Sequence, residues 1–377
     1  MATIRPLRIL ISDSVRIWGG AQRFCVEMAG GLSARGHDVS ILTYPGSPLS
    51  ARGRERGLPV LETAIRTDAA PWVVLPLALR MRRRPYHVVL TTWERDLKTT
   101  ALAAKLAACG TVVIHRRACD DPIKNNARYR WLYTRLADHV VVNSRATMET
   151  TRRSAPWLDE RRMSLLYNGI DLRDYESPDP GKWRAELDPE GGHVVIGFVG
   201  QLVGRKRLDV VMRALTGPEL GPLPWRLAIA GKGPDEERLR GLAHSLGIAH
   251  RVAFCGFVAD IPRWLAATDV FILPSLIEGF GYVLAEAAAA GKPIVSYRAS
   301  SIPEVVRDGE TALLAGYGDD EAFAAHLQRL VTDAVLRKHM GTLARRDAFA
   351  RHGLETMVDG METILAQVVP AASDKVG

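Results

Sequence analysis

Two carboxylates in "SLIEGFGYVLAEAAAAGKPIVS" (275–296), Glu278 and Glu286, are separated only by glycine, aromatic and aliphatic residues, apart from the hydroxyl of Tyr282. The amides of 279–281, at the start of a helix, point towards whatever the loop encloses and can meet an anion. Taken alone, one acid could instead complement the helix dipole and the other lie exposed on an alanine-rich helix. A cationic counterpart lies upstream in "GFVGQLVGRKRLDVVMRAL" (197–215), where a strand runs into Gly200, Gln201, Gly204, Arg205 and Lys206. The stretch lacks the Gly-Lys-Ser/Thr ending of a P-loop, which argues against a Mg-dependent triphosphatase. It leaves either an amide-rich cradle for a diphosphate or a surface charge pair. A third candidate is "SVRIWGGAQRFCVEMAGGL", where Gly19 and Gly20 let a backbone approach phosphate or sugar closely, or simply make a tight turn. It is not Gly-x-Gly-x-x-Gly, which argues against a nicotinamide cofactor.

All three stretches fall at strand-to-helix junctions, where open α/β sheets bind ligands. Short β-branched runs alternate with helical stretches in both halves, the signature of βαβ units and parallel sheets. Strands are predicted at 8–14, 38–44, 87–93, 111–117 and 139–145, then at 193–200, 226–231, 251–256, 270–275 and 293–298. The two sets suit two doubly wound sheets. Between them "ESPDPGKWRAELDPEGG" (176–192) is dense in Pro, Gly and acid, as expected of a hinge or linker. The expected domains are 1–178 and 179–352, followed by a helix and tail over 353–377; apolar residues recur at helical spacing in 354–369.

A chain of 377 residues with 47% hydrophobic content suits two ordinary cores. Cys25, Cys109, Cys119 and Cys255 form no Cys-x-x-Cys pair, so a reducing cytosol is expected and a structural metal is not. The N-terminal segment reads as a strand, not a signal peptide. No run approaches the roughly 20 apolar residues of a membrane span. Charge is uneven. Residues 1–180 hold 28 Lys and Arg against 18 Asp and Glu, and the remainder 22 against 24. A basic half attracts polyanions such as anionic lipid or glycan, while nucleic acid is disfavoured because no aromatic reader motif accompanies the charge. "APWVVLPLALRMRRRPYHVV" (70–89) places an apolar helix before arginines, either a membrane-docking element or an ordinary helix with a basic end.

Eight segments in order resemble the retaining, nucleotide-sugar-dependent glycosyltransferases of family 4: "WGGAQ", "GLSARGHDVSILT", "VVNSRAT", "YNGID", "VGQLVGRKRLD", "IAGKGPDEERL", the run from "VAFCGFVAD" through "GKPIVS", and "SIPEVVRDGETALL". The resemblance spans nearly the whole chain. It implies the GT-B fold, two Rossmann-like domains facing across a cleft, with a C-terminal helix packing back on the N-terminal domain. It further implies a UDP- or GDP-type sugar donor and no cofactor or metal. Glu286 would hold the ribose and Glu278 would face the donor sugar. The amides of Gly279, Phe280, Gly281 and Tyr282 would meet the sugar or diphosphate, Gly256 and Phe257 the base, and Gly19 and Gly20 the donor. Lys206 matches the phosphate-binding lysine. Gln201 stands where the family usually carries an arginine, so Arg205 or an arginine of the N-terminal domain is the expected substitute. His115 matches a histidine near sugar and acceptor, although "HRRACDD" departs from the usual pattern, and Glu304 matches a position read here as structural.

By that resemblance, a hexosyl-type sugar is moved with retention to an acceptor hydroxyl bound by the N-terminal domain. The setting would be cell-surface glycan, glycolipid or specialised-metabolite synthesis, in the cytoplasm or peripherally on the cytoplasmic membrane face. Two alternatives stay open: a sugar-nucleotide 2-epimerase of the same fold, and a non-catalytic sugar-nucleotide or glycan-binding protein.

Overall fold

The structure, a computed structural model, describes residues 5–370. Residues up to Gly169 and those from Leu354 onward form one compact unit, and Ile170–Gly353 a second.

The first unit is built on seven strands: β1 (Arg8–Asp13), β2 (Asp38–Thr43), β3 (Val60–Glu62), β4 (Val88–Thr91), β5 (Val112–Arg117), β6 (His139–Val142) and β7 (Met163–Leu165). Their order is β3-β2-β1-β4-β5-β6-β7, with every pairing parallel. Helices cover both faces of a parallel sheet, so its central strands must be apolar throughout. Accordingly Leu10, Ile11, Val89, Val113, Ile114 and Val140 are all fully buried.

The second unit holds β8 (Val194–Val199), β9 (Trp225–Ala230), β10 (Val252–Gly256), β11 (Val270–Leu273), β12 (Ile294–Tyr297) and β13 (Ala312–Ala315), ordered β10-β9-β8-β11-β12-β13 and again parallel. All ten predicted strands are present. Of the three not anticipated, β3 and β7 are three-residue edge strands with part-exposed residues, and β13 is a buried four-residue edge strand.

In both sheets the strand order reverses once, between β1 and β4 and between β8 and β11. The crevice beyond such a reversal is where doubly wound folds accept ligands.

The helix Leu354–Val368 returns to the first unit and packs on the helix Gly20–Ala34. A Cβ at Gly31 would lie 2.4 Å from Val358 Cγ2, so this approach needs glycine. Arg35 ties the pair by meeting Asp359 at 2.5 Å and Glu362 at 2.6 Å. Segment 176–192, expected as a hinge or linker, instead carries a helix, Lys182–Leu187, fastened to the second unit. There Arg184 meets Asp269 at 2.8 Å and Asp188 at 3.2 Å. The Pro and Gly residues that suggested a linker bracket this helix.

Candidate active site

In the second unit the loops after β8 and β11 meet at the strand-order reversal. The β8 loop turns through Gly204–Lys206 and buries Lys206; the β11 loop carries Glu278, also buried. The Lys206 ammonium donates to Glu278 Oε1, and their side chains are only 8% and 10% exposed. Desolvating two such charges costs several kcal/mol per ion, so the pair persists only with close contact and further hydrogen bonds. Backbone bonds hold the Glu278 end: Ser300 Oγ and Ser301 Oγ donate to the Glu278 carbonyl at 2.7 and 3.0 Å.

Glu286 lies on the helix Tyr282–Ala289, which starts just after the same loop and whose alanines suit the interior. Gly281 precedes its first turn at φ 78°, a left-handed conformation that strains other residues. Phe280 is buried, with its ring edge-on to Tyr282 and His352, so it offers a ligand only its backbone. Glu286 is buried too, and accepts from Tyr175 Oη at 3.0 Å. Tyr175 ends the short turn Leu172–Tyr175, and Arg345 fixes that turn through the carbonyls of Tyr175, Glu176 and Ala289.

Gly200, Gly231 and Gly256 stand at the carboxyl ends of β8, β9 and β10 and form a shelf without side chains. A Cβ at Gly231 would come within 1.8 Å of the Gly200 carbonyl oxygen, and the Gly231 amide donates to the Gly256 carbonyl at 2.6 Å. A bulge before Gly256 turns the chain outward and leaves Phe257 58% exposed. Gln201 and Arg205 are also exposed. Arg205 pairs with no acid among the described residues. The structure thus joins Lys206 to Glu278, and puts Gln201, Arg205, Gly256, Phe257, Gly279, Phe280, Gly281, Tyr282 and Glu286 on loops and a helix of one unit. An open cavity of about 590 Å³ lined by Asp174, Pro178, Asp260 and Arg263 shares none of them.

Gly19, Gly20 and His115 belong to the first unit. His115 lies within β5, opposite Thr91 of β4, with Nδ1 2.9 Å from Thr91 Oγ1 and its ring edge-on to Tyr133. Burial, aided by the Arg117 charge, pulls its pKa down to about 3, so the imidazole is neutral at physiological pH. Gly19 and Gly20 open the helix Gly20–Ala34, beside a buried polar cluster at the β1/β4 reversal. Gln22 Nε2 donates to both oxygens of Asp13 at 3.0 and 2.9 Å, and Thr92 Oγ1 donates at 2.7 Å. Asp96 accepts from Ser12 Oγ at 3.0 Å and from the Ser14 amide at 3.1 Å. Burial, then the Asp13 charge, pushes Asp96 up to about 7, and burial also raises Asp13.

Sequence reasoning missed Tyr175, Ser300 with Ser301, and the Asp13–Asp96 cluster. The Gln of "WGGAQ" was the one available signal for the last, and Tyr175 lies just past "YNGID".

Residues 18–174 match the model described as Glycosyltransferase Family 4, and residues 193–333 that described as Glycosyl transferases group 1. The chain belongs to the family-4 glycosyltransferases. Among its relatives is the lipopolysaccharide core biosynthesis glycosyltransferase LpsE of Rhizobium meliloti (strain 1021), 29% identical over 92% of this chain and 96% of that protein. Another is the 2-deoxystreptamine N-acetyl-D-glucosaminyltransferase of Streptomyces fradiae, 27% identical over 79% of this chain and 69% of that one. Among solved structures, Anabaena Alr3699/HepE in complex with UDP and glucose superimposes with a TM-score of 0.82 at 20% identity, covering 96% of this chain and 100% of that one. The two Rossmann-like sheets of this family-4 glycosyltransferase are therefore those of the GT-B fold. Both family models include predicted site residues: Gly19, Gly20 and His115 lie in the first matched region, and Lys206, Glu278 and Glu286 in the second.

Proposed function

We propose that this glycosyltransferase moves a hexosyl-type sugar from a UDP- or GDP-type donor to an acceptor hydroxyl with retention of configuration. The observation that carries this reading is the buried Lys206–Glu278 pair at the β8/β11 reversal, with Glu286 on the adjoining helix. Lys206, the exposed Arg205 and the amides leading into the helix Tyr282–Ala289 are suited to the charge that grows on a departing diphosphate. Arg205 supplies the cation absent at Gln201. Glu278 faces the donor sugar as its anomeric carbon becomes oxocarbenium-like, and Glu286 binds the ribose hydroxyls. The Gly200–Gly231–Gly256 shelf lets a diphosphate or base approach the backbone. Within the first unit, Gly19 and Gly20 leave a backbone open to phosphate or sugar, and His115 acts as a neutral hydrogen-bonding group.

In the proposed reaction the bond from the anomeric carbon to the phosphate oxygen breaks. The acceptor oxygen bonds to that carbon on the same face, and its proton passes to the leaving phosphate oxygen. Protein cations and amides carry the electrostatic load, with no metal in the scheme. UDP in the HepE complex supports the nucleotide class, and the LpsE likeness supports a cell-surface saccharide acceptor.

We also place the reaction at an anionic membrane face. No helix of the described residues is long and apolar enough to cross a membrane. The helix Pro71–Arg83 nevertheless leaves Trp72, Leu75 and Leu79 more than half exposed, one helical face beside the exposed Arg80 and Arg83. That combination suits the interface of an anionic bilayer.

The test is melting-temperature screening against UDP-, GDP-, ADP- and dTDP-sugars, followed by NMR of the products. The expected outcome is a rise with one nucleotide class, since a ligand of the folded state stabilises it, and slow hydrolysis without acceptor. A new sugar nucleotide formed by the enzyme alone would identify an epimerase. No shift with any donor, together with no effect of Glu286→Ala, would sink the transferase reading.

A further inference from the structure

At the carboxyl ends of β1, β2 and β3 in the first unit, arginines converge without acidic partners. Arg16 lies on the loop after β1, Tyr44 directly after β2, and Arg66 on the loop after β3. These strands are neighbours in the order β3-β2-β1, so their loops share one rim of the sheet. Arg16 Nη2 and Arg66 Nε both donate to Tyr44 Oη, at 2.9 and 3.2 Å, and the Arg16 guanidinium lies 4.1 Å from the centre of the Tyr44 ring. Arg52, on the helix Pro48–Glu55 after β2, stacks 3.8 Å from the ring centre of Trp18, two residues along from Arg16.

Nearby arginines show what is unusual here. Arg54 meets Glu62 at 3.1 Å and Arg56 meets Glu27 at 2.9 Å. No carboxylate among the described residues pairs with Arg16, Arg52 or Arg66. Two guanidinium groups sharing one phenol oxygen repel each other, and a neutral phenol cannot offset that charge. Ring contacts hold the Arg16 and Arg52 guanidinium groups, and the Tyr44 hydroxyl holds Arg66, while their remaining N–H groups can fork onto oxygens. Oxygens of one phosphoryl group can accept from more than one such fork, and planar guanidinium recognition of phosphate is bidentate.

We propose that Arg16, Tyr44, Arg66 and the flanking Arg52 form a subsite for a phosphoryl group on the acceptor. This deepens the transferase reading and rests on it for the word acceptor. The anion site itself stands on the cluster alone.

The test titrates the full chain and its Arg16→Gln/Arg66→Gln variant with glucose 6-phosphate, glucose and UDP at low ionic strength, alongside sedimentation with phosphatidylglycerol vesicles. Both substituted side chains are exposed, and an unchanged melting temperature confirms folding. The expected result is glucose 6-phosphate affinity at least tenfold weaker in the variant, no change for glucose or UDP, and wild-type affinity that falls with added salt. Loss of vesicle binding as well assigns the phosphoryl group to a lipid-linked acceptor; its retention assigns it to a free sugar phosphate. Glucose 6-phosphate that fails to bind the wild type, or binds both proteins equally, overturns the proposal. An equal loss for UDP overturns it too, because the cluster would then serve the donor. If the anion result holds while no nucleotide sugar binds, the transferase reading fails instead and the anion site remains.

Discussion

The two strand-order reversals occupy equivalent places in the two sheets, yet their acids are handled in opposite ways. At β8/β11 the carboxylate of Glu278 faces the Lys206 ammonium, and both stay largely covered. At β1/β4 the carboxyls of Asp13 and Asp96 meet hydroxyl, amide and backbone donors, with Asp96 pushed up to about 7. A cation beside a buried acid favours its ionised form. An acid buried beside a second carboxyl holds its proton more tightly, although the hydroxyl and amide donors around it pull the other way. Equivalent topology therefore gives one unit a covered ion pair and the other a hydrogen-bonded acid cluster beside Gly19 and Gly20.

The sharpest way to break this contrast is to remove one half of the charged pair. Lys206→Met should slow transfer on the order of 10²–10³-fold. It should also destabilise the fold by roughly 3–5 kcal/mol, because Glu278 is left buried and uncompensated. Adding Glu278→Gln to Lys206→Met should restore much of the melting temperature while transfer stays lost. Recovery of both would show that the pair is purely structural.

Next in size is Glu286→Ala. Loss of a charged hydrogen-bond acceptor is worth about 1.5–3 kcal/mol, or roughly 10- to 150-fold in nucleotide affinity. Calorimetry with UDP or GDP reads it, and an unchanged affinity would detach Glu286 from the ribose.

Asp96→Asn probes the other reversal. The folded pKa of about 7 stands above the ordinary 3.8, so the folded state binds the extra proton between those values. Stability from this group is thus fully present below about pH 4 and declines as pH rises to about 7. Asn mimics the protonated acid, so the variant should be more stable than wild type at pH 8, by about 1–3 kcal/mol in denaturant titrations. His115 has the opposite slope, since its pKa is lowered to about 3 and its contribution fades as pH falls below 6.5. The variant's stability should therefore rise with pH over that range. A wild-type-like profile would show that Asp96 does not hold the extra proton.

The smallest effect belongs to Tyr175→Phe, which removes only the hydroxyl donated to Glu286. A loss of about 1 kcal/mol, near fivefold in affinity, is expected for a ribonucleotide diphosphate. It should vanish for the 2′,3′-dideoxy analogue, whereas an equal loss for both would make Tyr175 a packing residue.

How far the sequence reveals this depends on locality. The ten anticipated strands and the helix after Gly281 are written in apolar runs and alanines, and Glu278, Glu286 and Lys206 occur in short recognisable segments. The edge strands β3 and β7 are stabilised by a neighbour and not by their own composition. Tyr175 meets Glu286 across 111 positions, and Asp13 meets Thr92 across 79. No local pattern encodes such a pairing. Arg16 and Arg66 likewise look like ordinary surface basics until three strand ends bring them to one tyrosine.

The chain route through the second unit has a further consequence. Its ends lie side by side, with the Ile170 amide bonded to the His352 carbonyl at 2.8 Å. The first unit, by contrast, is completed only by the helix Leu354–Val368. During vectorial synthesis the second unit can close as soon as it emerges, while the apolar face of Gly20–Ala34 waits for the last helix. Excising 170–353 or permuting it circularly should therefore cost little, and a truncation before Leu354 should strand the first unit as an aggregation-prone intermediate.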